Sequence, residues 1–499
     1  MNVMMYHAGG VCTHSEERQV LTDPGAPPSM SLPLWSFRDD VVIEPAADGS
    51  LVVLTRWGEV RLDSPAPAIV DSLHRMTLGP VELTNVDGLD RNDLFTVLAR
   101  LPGCVVRSLG LKETATPLLS VVPLSPSEVL ELPALDDRLP IRLSRFAIVR
   151  ESDRQMVVES PLSHHRVVLH RPMTSWVVGA LGRPTTAADI AQSLNVSRDL
   201  LTELLAYLVA TGMVVTGERT NRAKPAFAED ADAELRAWAP HDLLFHSRSR
   251  LGRHDDDAGA AFRHVTDVPP LPVVRPVPAG ERFELRRPDL AEPGMTLTDA
   301  IEQRHSVREF ADEGPSAEQL GELLFRTARI RSQAEAVGAG GVRYRVSDRP
   351  YPSTGSMYEL DLFLTVDRCA GLPRGIYHYD PEGHALTLVN ENEAYADELL
   401  DSAMVQIGAQ RKPPVLITMT ARMGRLSWVY DGIAYAATLK HVGVLQQTLY
   451  LVATMLGLAP CAVATGDSEL AADAFGLDWP SEVSVGEFVV GLPRPPIRP

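Results

Sequence analysis

Three segments in fixed order constrain this chain most: RHSVREF at residues 304–310, YPSTGSMYELDLFL about forty positions later, and the apolar run LKHVGVLQQTLYLVATMLGLAPCAVATGD, which ends at Asp467. The first lies between TLTDAIEQ and PSAEQLGELLF, so two amphipathic helices bracket a turn whose guanidinium and hydroxyl can converge on a phosphate. The second places a proline, a hydroxyl and a glycine just before an alternating strand at residues 358–366. There the backbone can approach a flat ring, such as a flavin, with no Cβ in the way. The third reads as a long central helix with a buried stripe at Val442, Leu445, Leu449 and Val452. A Val-Gly-x-Pro at 490–493 closes the series.

Composition narrows the rest. The 499 residues allow about three domains. A formal charge of −18 argues against a general nucleic-acid or membrane-surface binder, because tracking phosphates normally needs an excess of basic residues. No apolar run reaches the ~18 residues of a membrane span, and the N-terminus has neither a basic start nor an apolar core of a signal peptide. A cytoplasmic protein is expected. The four cysteines, Cys12, Cys104, Cys369 and Cys461, show no CxxC spacing, which argues against a zinc ribbon or a disulfide scaffold. His246 and His254 beside Asp255, Asp256 and Asp257 match no helical or hairpin ligand pair, so that stretch reads as a charged loop and no metal is expected.

The expected class is α+β, with two winged-helix-like modules ahead of a larger C-terminal domain. Residues 1–30 read as a disordered tail. A first module at 31–115 contains an Asp-Gly hairpin, two helices and a strand, and a second at 140–216 repeats that grammar, with Thr186 and Ser197 as helix caps and Gly212 as a stop. The candidate recognition helix of the second copy, SRDLLTELLAYLVATG, has one arginine and nothing suited to reading bases. Peptide uptake by strand addition is the alternative. The second module carries eight arginines against six acids over 141–215, whereas the first carries seven against eleven over 31–109, so the second suits an acidic leader segment better. The other reading of both copies is a scaffold that holds a partner. Residues 217–284 read as a polar linker and a Pro-rich arm that wraps a globular neighbour, and 285–499 as the C-terminal domain.

The C-terminal half resembles the SagB-type azoline dehydrogenases, or thiazole/oxazole-forming oxidases, of the nitroreductase superfamily. HDLLFHSRSRLGRHD, PPLP at 269–272, RHSVREF, PSTGSMYELDLFL, GIYHYDP at 375–381 and the run from Lys440 to Asp467 carry the resemblance, in the family's order. It implies an FMN-dependent homodimer that oxidises thiazolines or oxazolines to thiazoles and oxazoles. The azolines would be made by a cyclodehydratase partner from Cys, Ser or Thr of a ribosomally made precursor peptide, and an N-terminal extension of this length resembles those of thiopeptide and linear azole-peptide pathways. Such oxidation removes one hydride and one proton and requires no redox cysteine or metal.

The resemblance assigns Arg304 and Ser306 to the FMN phosphate, Pro352, Ser353 and Gly355 to the flavin ring, and Gly466 to the opposite wall. Arg494 is a second candidate phosphate ligand, His305 is open between packing and contact, and Gln446 faces the flavin or the dimer seam. Arg308 pairs with an acid or with the cofactor. One departure stands out. The family places a Lys-Tyr pair after a Trp to deprotonate the azoline, whereas here Trp428 is followed by Val429 and Tyr430. Tyr430 can act as the base if a cation lowers its pKa, and Lys440 is the candidate, with Arg422 and Arg425 as alternatives. On one continuous helix Tyr430 and Lys440 would be roughly 15 Å apart, so a helix start must fall between them or a dimer contact must join them. Two other readings remain: a generic FMN-dependent NAD(P)H nitro or quinone reductase, and a catalytically inactive scaffold.

Overall fold

The structure is a computed structural model that describes residues 30–494 apart from 84–89, 127–129, 220–223, 257–258 and 292–293. The expected disordered tail, apart from Met30, lies outside the described residues, as do Cys12 and Asp257. The chain divides into two compact units, Met1–Leu244 and Phe245–Pro499, and its secondary structure is mixed α and β.

In the first unit the hairpin, helices and strands expected of both modules are present, but the modules do not close separately. The Asp-Gly turn joins Val42–Pro45 to Leu51–Thr55 with Gly49 at φ 83°, and a second turn adds Gly58–Leu62 as a third strand. Around it, one six-stranded antiparallel sheet runs in the order Ser31–Phe37, Val105–Leu111, Thr116–Pro123, His165–Leu169, Gln155–Glu159, Ile148–Ser152. Val167 pairs with Val121 and Leu169 with Leu119, so a division between 115 and 140 cuts through a continuous sheet. The helices Pro172–Ala180, Ala187–Leu194 and Arg198–Ala210 bury Val177, Ile190, Leu201, Leu204 and Leu208 against it. Thr186 Oγ1 caps the second of these by accepting the Asp189 N–H at 3.1 Å, but Ser197 makes no side-chain cap. Gly212, at φ 70°, follows the third.

Residues 217–244 are not a free linker. Val214–Glu218 pairs with Ala226–Phe227, and Arg142 binds Glu229 at 2.9 Å and Asp230 at 2.6 Å. The acids that read as a solvated linker neutralise an arginine of the second module.

The second unit is built on a seven-stranded antiparallel sheet, in the order Arg282–Glu284, Ala385–Asn390, Gly375–Asp380, Leu360–Val366, Val415–Arg422, Glu482–Gly491, Ala459–Val463. Both faces are covered, which is why Leu360–Val366 is buried at every position. On one face the helices Ala317–Ala328 and Ala434–Met455 bury Leu320, Leu323, Val442, Leu445 and Leu449 against Leu362, Ile417 and Phe488. On the other, Glu393–Ile407 and Ser468–Phe475 cover Phe363, Leu416 and Val489. Alternation along Gly375–Asp380 puts Tyr377 and Tyr379 in the first layer, while His378 lies 5.2 Å from Phe363, ring centre to ring centre, towards the second. No described helix is long and apolar enough to cross a membrane.

The Pro-rich arm is extended and pinned. Arg422 donates to the carbonyls of Pro272 at 2.9 Å and Val273 at 3.0 Å, Arg425 to Leu271 at 2.9 Å, and Trp428 Nε1 to Val268 at 2.7 Å. Further upstream, Phe262 packs against Trp428 and Tyr344, and its N–H donates to Val429 O. His254 is buried in the preceding loop with Nε2 at 2.8 Å from Arg250 O.

Candidate active site

At one end of the site, helix Leu297–Gln303 starts on a Thr296 cap and stops at Arg304. The chain then runs antiparallel to the molecule's closing strand: Phe310 bridges Pro493, and the absence of a Cβ at Gly491 makes room for the Phe310 ring. This explains the Val-Gly-x-Pro. Ser306 Oγ shares a 2.7 Å hydrogen bond with the Tyr450 hydroxyl, which accepts the Ala462 N–H at 2.7 Å, and the Arg304 guanidinium lies 5.2 Å from the Tyr450 ring centre. Arg304 and Ser306 therefore meet on one aromatic side chain, Arg304 at its ring and Ser306 at its hydroxyl, that sequence reasoning missed; Tyr450 is a neighbour of the Leu449 stripe position and reads as core. His305 is exposed and its Nδ1 is 2.8 Å from Gln303 O, closing the helix end. Arg308 and Arg494 are exposed.

The glycine turn is tied to the same long helix, Ala434–Met455, nine residues before Tyr450, at His441. Gly355 has φ 59°, and a Cβ there would collide with the Tyr430 hydroxyl, so the missing side chain is what lets Tyr430 reach the turn. Ser356 and Tyr358 also have positive φ, 57° and 48°, which is why the strand starts at Leu360, two residues later than the pattern predicts. Side-chain as well as backbone bonds hold this strained turn. Ser353 Oγ accepts the Tyr358 N–H at 3.0 Å, and the Thr354 N–H donates to His441 Nε2 at 2.8 Å. Pro352 is exposed at its start.

Gly466 faces Glu487 in the same way: a Cβ would collide with the carboxyl group. Burial pushes that carboxyl up to about 7. Gln446 Nε2 donates to Glu487 O at 3.2 Å, which places Gln446 beside the Gly466 wall.

A helix start does fall between Tyr430 and Lys440. Tyr430 lies in the link between the short helix Met423–Ser427 and the long helix Ala434–Met455, on which Lys440 is exposed. The expected lowering of the phenol is not found. Burial, and then the Tyr344 phenol, push Tyr430 above its ordinary value of 10.0. The alternative cations are committed elsewhere. Arg425 is 1% exposed and spends Nε, Nη1 and Nη2 on the carbonyls of Met357, Leu271 and Arg345, while Arg422 adds Asp361 at 3.0 Å to its two arm carbonyls. Burial and the neighbouring arginines bring Arg425 down to about 10. Tyr430 is thus a phenol and a hydrogen-bond donor at neutral pH.

Residues 301–492 match the model of the nitroreductase family, and a Methanocaldococcus jannaschii protein described as a nitroreductase, MJ1384, is 30% identical over 184 residues, 37% of this chain and 85% of its own length. The chain belongs to the nitroreductase family. Residues 141–255 match a second model, the cyanobactin oxidase ThcOx. Among solved structures, a nitroreductase-like protein of Ralstonia eutropha JMP134 is 22% identical, with 45% of this chain and 100% of that one covered and a TM-score of 0.35. A chain of the E. coli microcin synthetase McbBCD complex with truncated pro-MccB17 bound is 21% identical, with 53% and 95% covered and a TM-score of 0.33. A nitroreductase domain preceded by an oxidase-type match supports an oxidoreductase.

Nitroreductase family members generally bind FMN, and this site's residues fit that group at its phosphate. Arg304 and Ser306 lie together on Tyr450, a guanidinium and a hydroxyl of the kind that binds a phosphate, whereas the Cβ positions of Gly355 and Gly466 are taken by the Tyr430 hydroxyl and the Glu487 carboxyl group.

Proposed function

We propose that this nitroreductase-family protein is an FMN-dependent azoline dehydrogenase that oxidises thiazolines or oxazolines in a ribosomally made peptide. The observation that carries the reading is the pairing in one chain of the ThcOx match at 141–255 with the nitroreductase match at 301–492, which couples a peptide-oxidase module to the flavin fold. The thiopeptide and linear azole-peptide assignment of the sequence resemblance is part of the proposal at the level of its shared azoline chemistry.

Arg304 and Ser306 hold the FMN phosphate, with Arg494 as a further candidate. Pro352, Ser353 and Gly355 form one wall of the ring site and Gly466, backed by Gln446 and Glu487, the other. When bound, FMN supplies a hydride acceptor. Tyr430, a protonated phenol at Gly355, donates a hydrogen bond to the azoline and fixes its orientation. Lys440 remains a candidate only for the site of a second subunit. Homodimerisation is supported by Leu297, Ile301, Tyr435 and Leu439, all more than a third exposed on two helices that pack together.

Peptide delivery falls to the first unit, whose two winged-helix-like halves share one sheet. His165–Leu169 is covered by Thr116–Pro123, so the open edge beside the wing is Ile148–Ser152, where an added strand of the precursor's leader would pair, with the cyclodehydratase presenting the ring. The name of the M. jannaschii relative favours a second reading, a generic NAD(P)H-dependent nitro or quinone reductase. Offering the flavin-loaded protein an azoline peptide in one assay and NADH or NADPH with a nitro compound or quinone in another separates the two. Azole formation without nicotinamide use supports the proposal, and the reverse sinks it.

A further inference from the structure

A groove of about 440 Å³ lies between the Pro-rich arm at 270–274 and the strand Arg343–Asp348, a volume within the ~300–1,000 Å³ of ligand sites. One guanidinium joins its walls. Arg425 Nη1 donates to Leu271 O at 2.9 Å on the arm, Nη2 to Arg345 O at 2.6 Å on the strand, and Nε to Met357 O at 2.9 Å, next to the glycine turn. Arg425 is 1% exposed, so a buried side chain sets both the spacing of the walls and their register to Gly355. Tyr344 lines the groove and packs, as Tyr430 does, on the buried cluster of Phe262, Met357 and Trp428. The groove therefore reaches the neighbourhood of Tyr430. Its lining suits an extended chain. Arg345 turns its carbonyl out of the hairpin to meet Arg425, and in a strand the N–H of a residue faces the same side as its C=O, so this wall carries an amide edge. The facing wall is apolar at Leu271, 39% exposed, and has no N–H at Pro270 or Pro272. Among the charged groups, Arg343 binds Glu335 at 2.8 Å and Glu382 accepts from Gln333 at 2.7 Å. The Arg345 guanidinium is exposed, with no hydrogen-bond or ion-pair partner among the described residues; Glu335 stands opposite it in the register but is bonded to Arg343.

We propose that this groove seats an extended stretch of the peptide substrate beside the ring under oxidation, with Arg345 taking a carboxylate of that stretch. The inference rests on the azoline reading above and adds a substrate class to it: peptides with an acidic residue near the oxidised ring. The amide edge pairs with the backbone of any sequence, whereas the guanidinium selects among sequences. Because Arg345 is exposed, that selection is a matter of several-fold and not of orders of magnitude. Arg425, which spends its donors on the walls, is a positioning residue and does not touch the peptide.

The test uses the flavin-loaded full-length protein, wild type and Arg345→Glu, with synthetic thiazoline probes: a short peptide with Asp on either side of the ring, the same peptide with Lys in those places, and a thiazoline capped by one neutral residue on each side. Turnover gives kcat and KM for each probe, and fluorescence anisotropy gives the binding of labelled Asp and Lys peptides. Wild type is expected to favour the Asp peptide over the Lys peptide in kcat/KM, through KM, and Arg345→Glu to shift that ratio by about tenfold towards Lys. A ratio that does not move overturns the assignment, as does a loss shared equally by both peptides and the capped thiazoline, which places the damage outside the groove. A flavin-loaded wild type that leaves every thiazoline intact overturns the azoline reading itself. Anisotropy then decides the groove separately: a shift of preference from Asp to Lys peptide in Arg345→Glu sustains peptide binding there, and an unaltered preference overturns it.

Discussion

Tyr430 and the glycine it touches define the chemistry at the scale of single residues. Tyr430→Phe removes the hydroxyl that meets Gly355, and kcat for azoline oxidation is expected to fall by about 10- to 100-fold with flavin content unchanged. Wild-type turnover in that variant would take Tyr430 out of the site. Gly355→Ala places a Cβ at φ 59° and against that hydroxyl, so it should destabilise the protein by about 1–2 kcal/mol and lower turnover; an unchanged melting temperature would contradict the contact. Glu487 predicts a pH effect on stability. Its folded-state pKa, about 7, lies above the ordinary 4.5, so the folded state binds the extra proton between these values. The stabilisation is full below about pH 4.5 and is lost as pH rises through 7, on the order of 3 kcal/mol in all. Glu487→Gln should flatten that slope in denaturant titrations across pH 4.5–7.5, and an unaltered slope would contradict the assignment. The sequence made Tyr430, Gly355 and Gly466 visible because motif order singled them out. It hid Tyr450 and His441, whose roles depend on partners far along the chain.

At the scale of elements, the segment from Met423 to Asp431 is held from both sides. Gly355 meets Tyr430 from the turn, and the arm from Gly259 to Val273 meets Arg422, Arg425, Trp428 and Asp431 from the other direction. Sequence reasoning offered Arg422 and Arg425 as cations for Tyr430 because they flank it. Their donors go instead to Asp361, to the carbonyls of Met357 and Arg345, and to those of Leu271, Pro272 and Val273 in a proline-rich stretch that has no ladder of its own to satisfy them. Arg425→Met leaves three carbonyls without their donor, and a loss of about 3 kcal/mol or more in denaturant unfolding is expected, together with lower turnover from a displaced Tyr430. A change below about 1 kcal/mol would contradict the pin. Helix and hairpin patterns were legible in the sequence because they are local. The hairpin of Ser332–Val337 and Arg343–Asp348, by contrast, was not read from the sequence; Gly340 and Gly341 in the turn at its tip take φ of 70° and 80°.

At the scale of the whole molecule, two repeats written in one grammar fold as a single unit because Thr116–Pro123 pairs with His165–Leu169, a register that no local pattern specifies. Ile148–Ser152 is an edge strand of that sheet, and on the proposed reading the leader is expected to bind there. An isolated leader added in trans should inhibit oxidation of the full precursor while leaving a leaderless azoline peptide unaffected; equal inhibition of both would count against docking. The central claim, that a peptide-oxidase module and a nitroreductase-family site act on azolines in one chain, is tested most directly by the mass of an azoline-bearing precursor peptide after incubation with the flavin-loaded protein and oxygen. The account predicts the loss of two hydrogens for each ring converted. An unchanged mass, with flavin bound throughout, would contradict it.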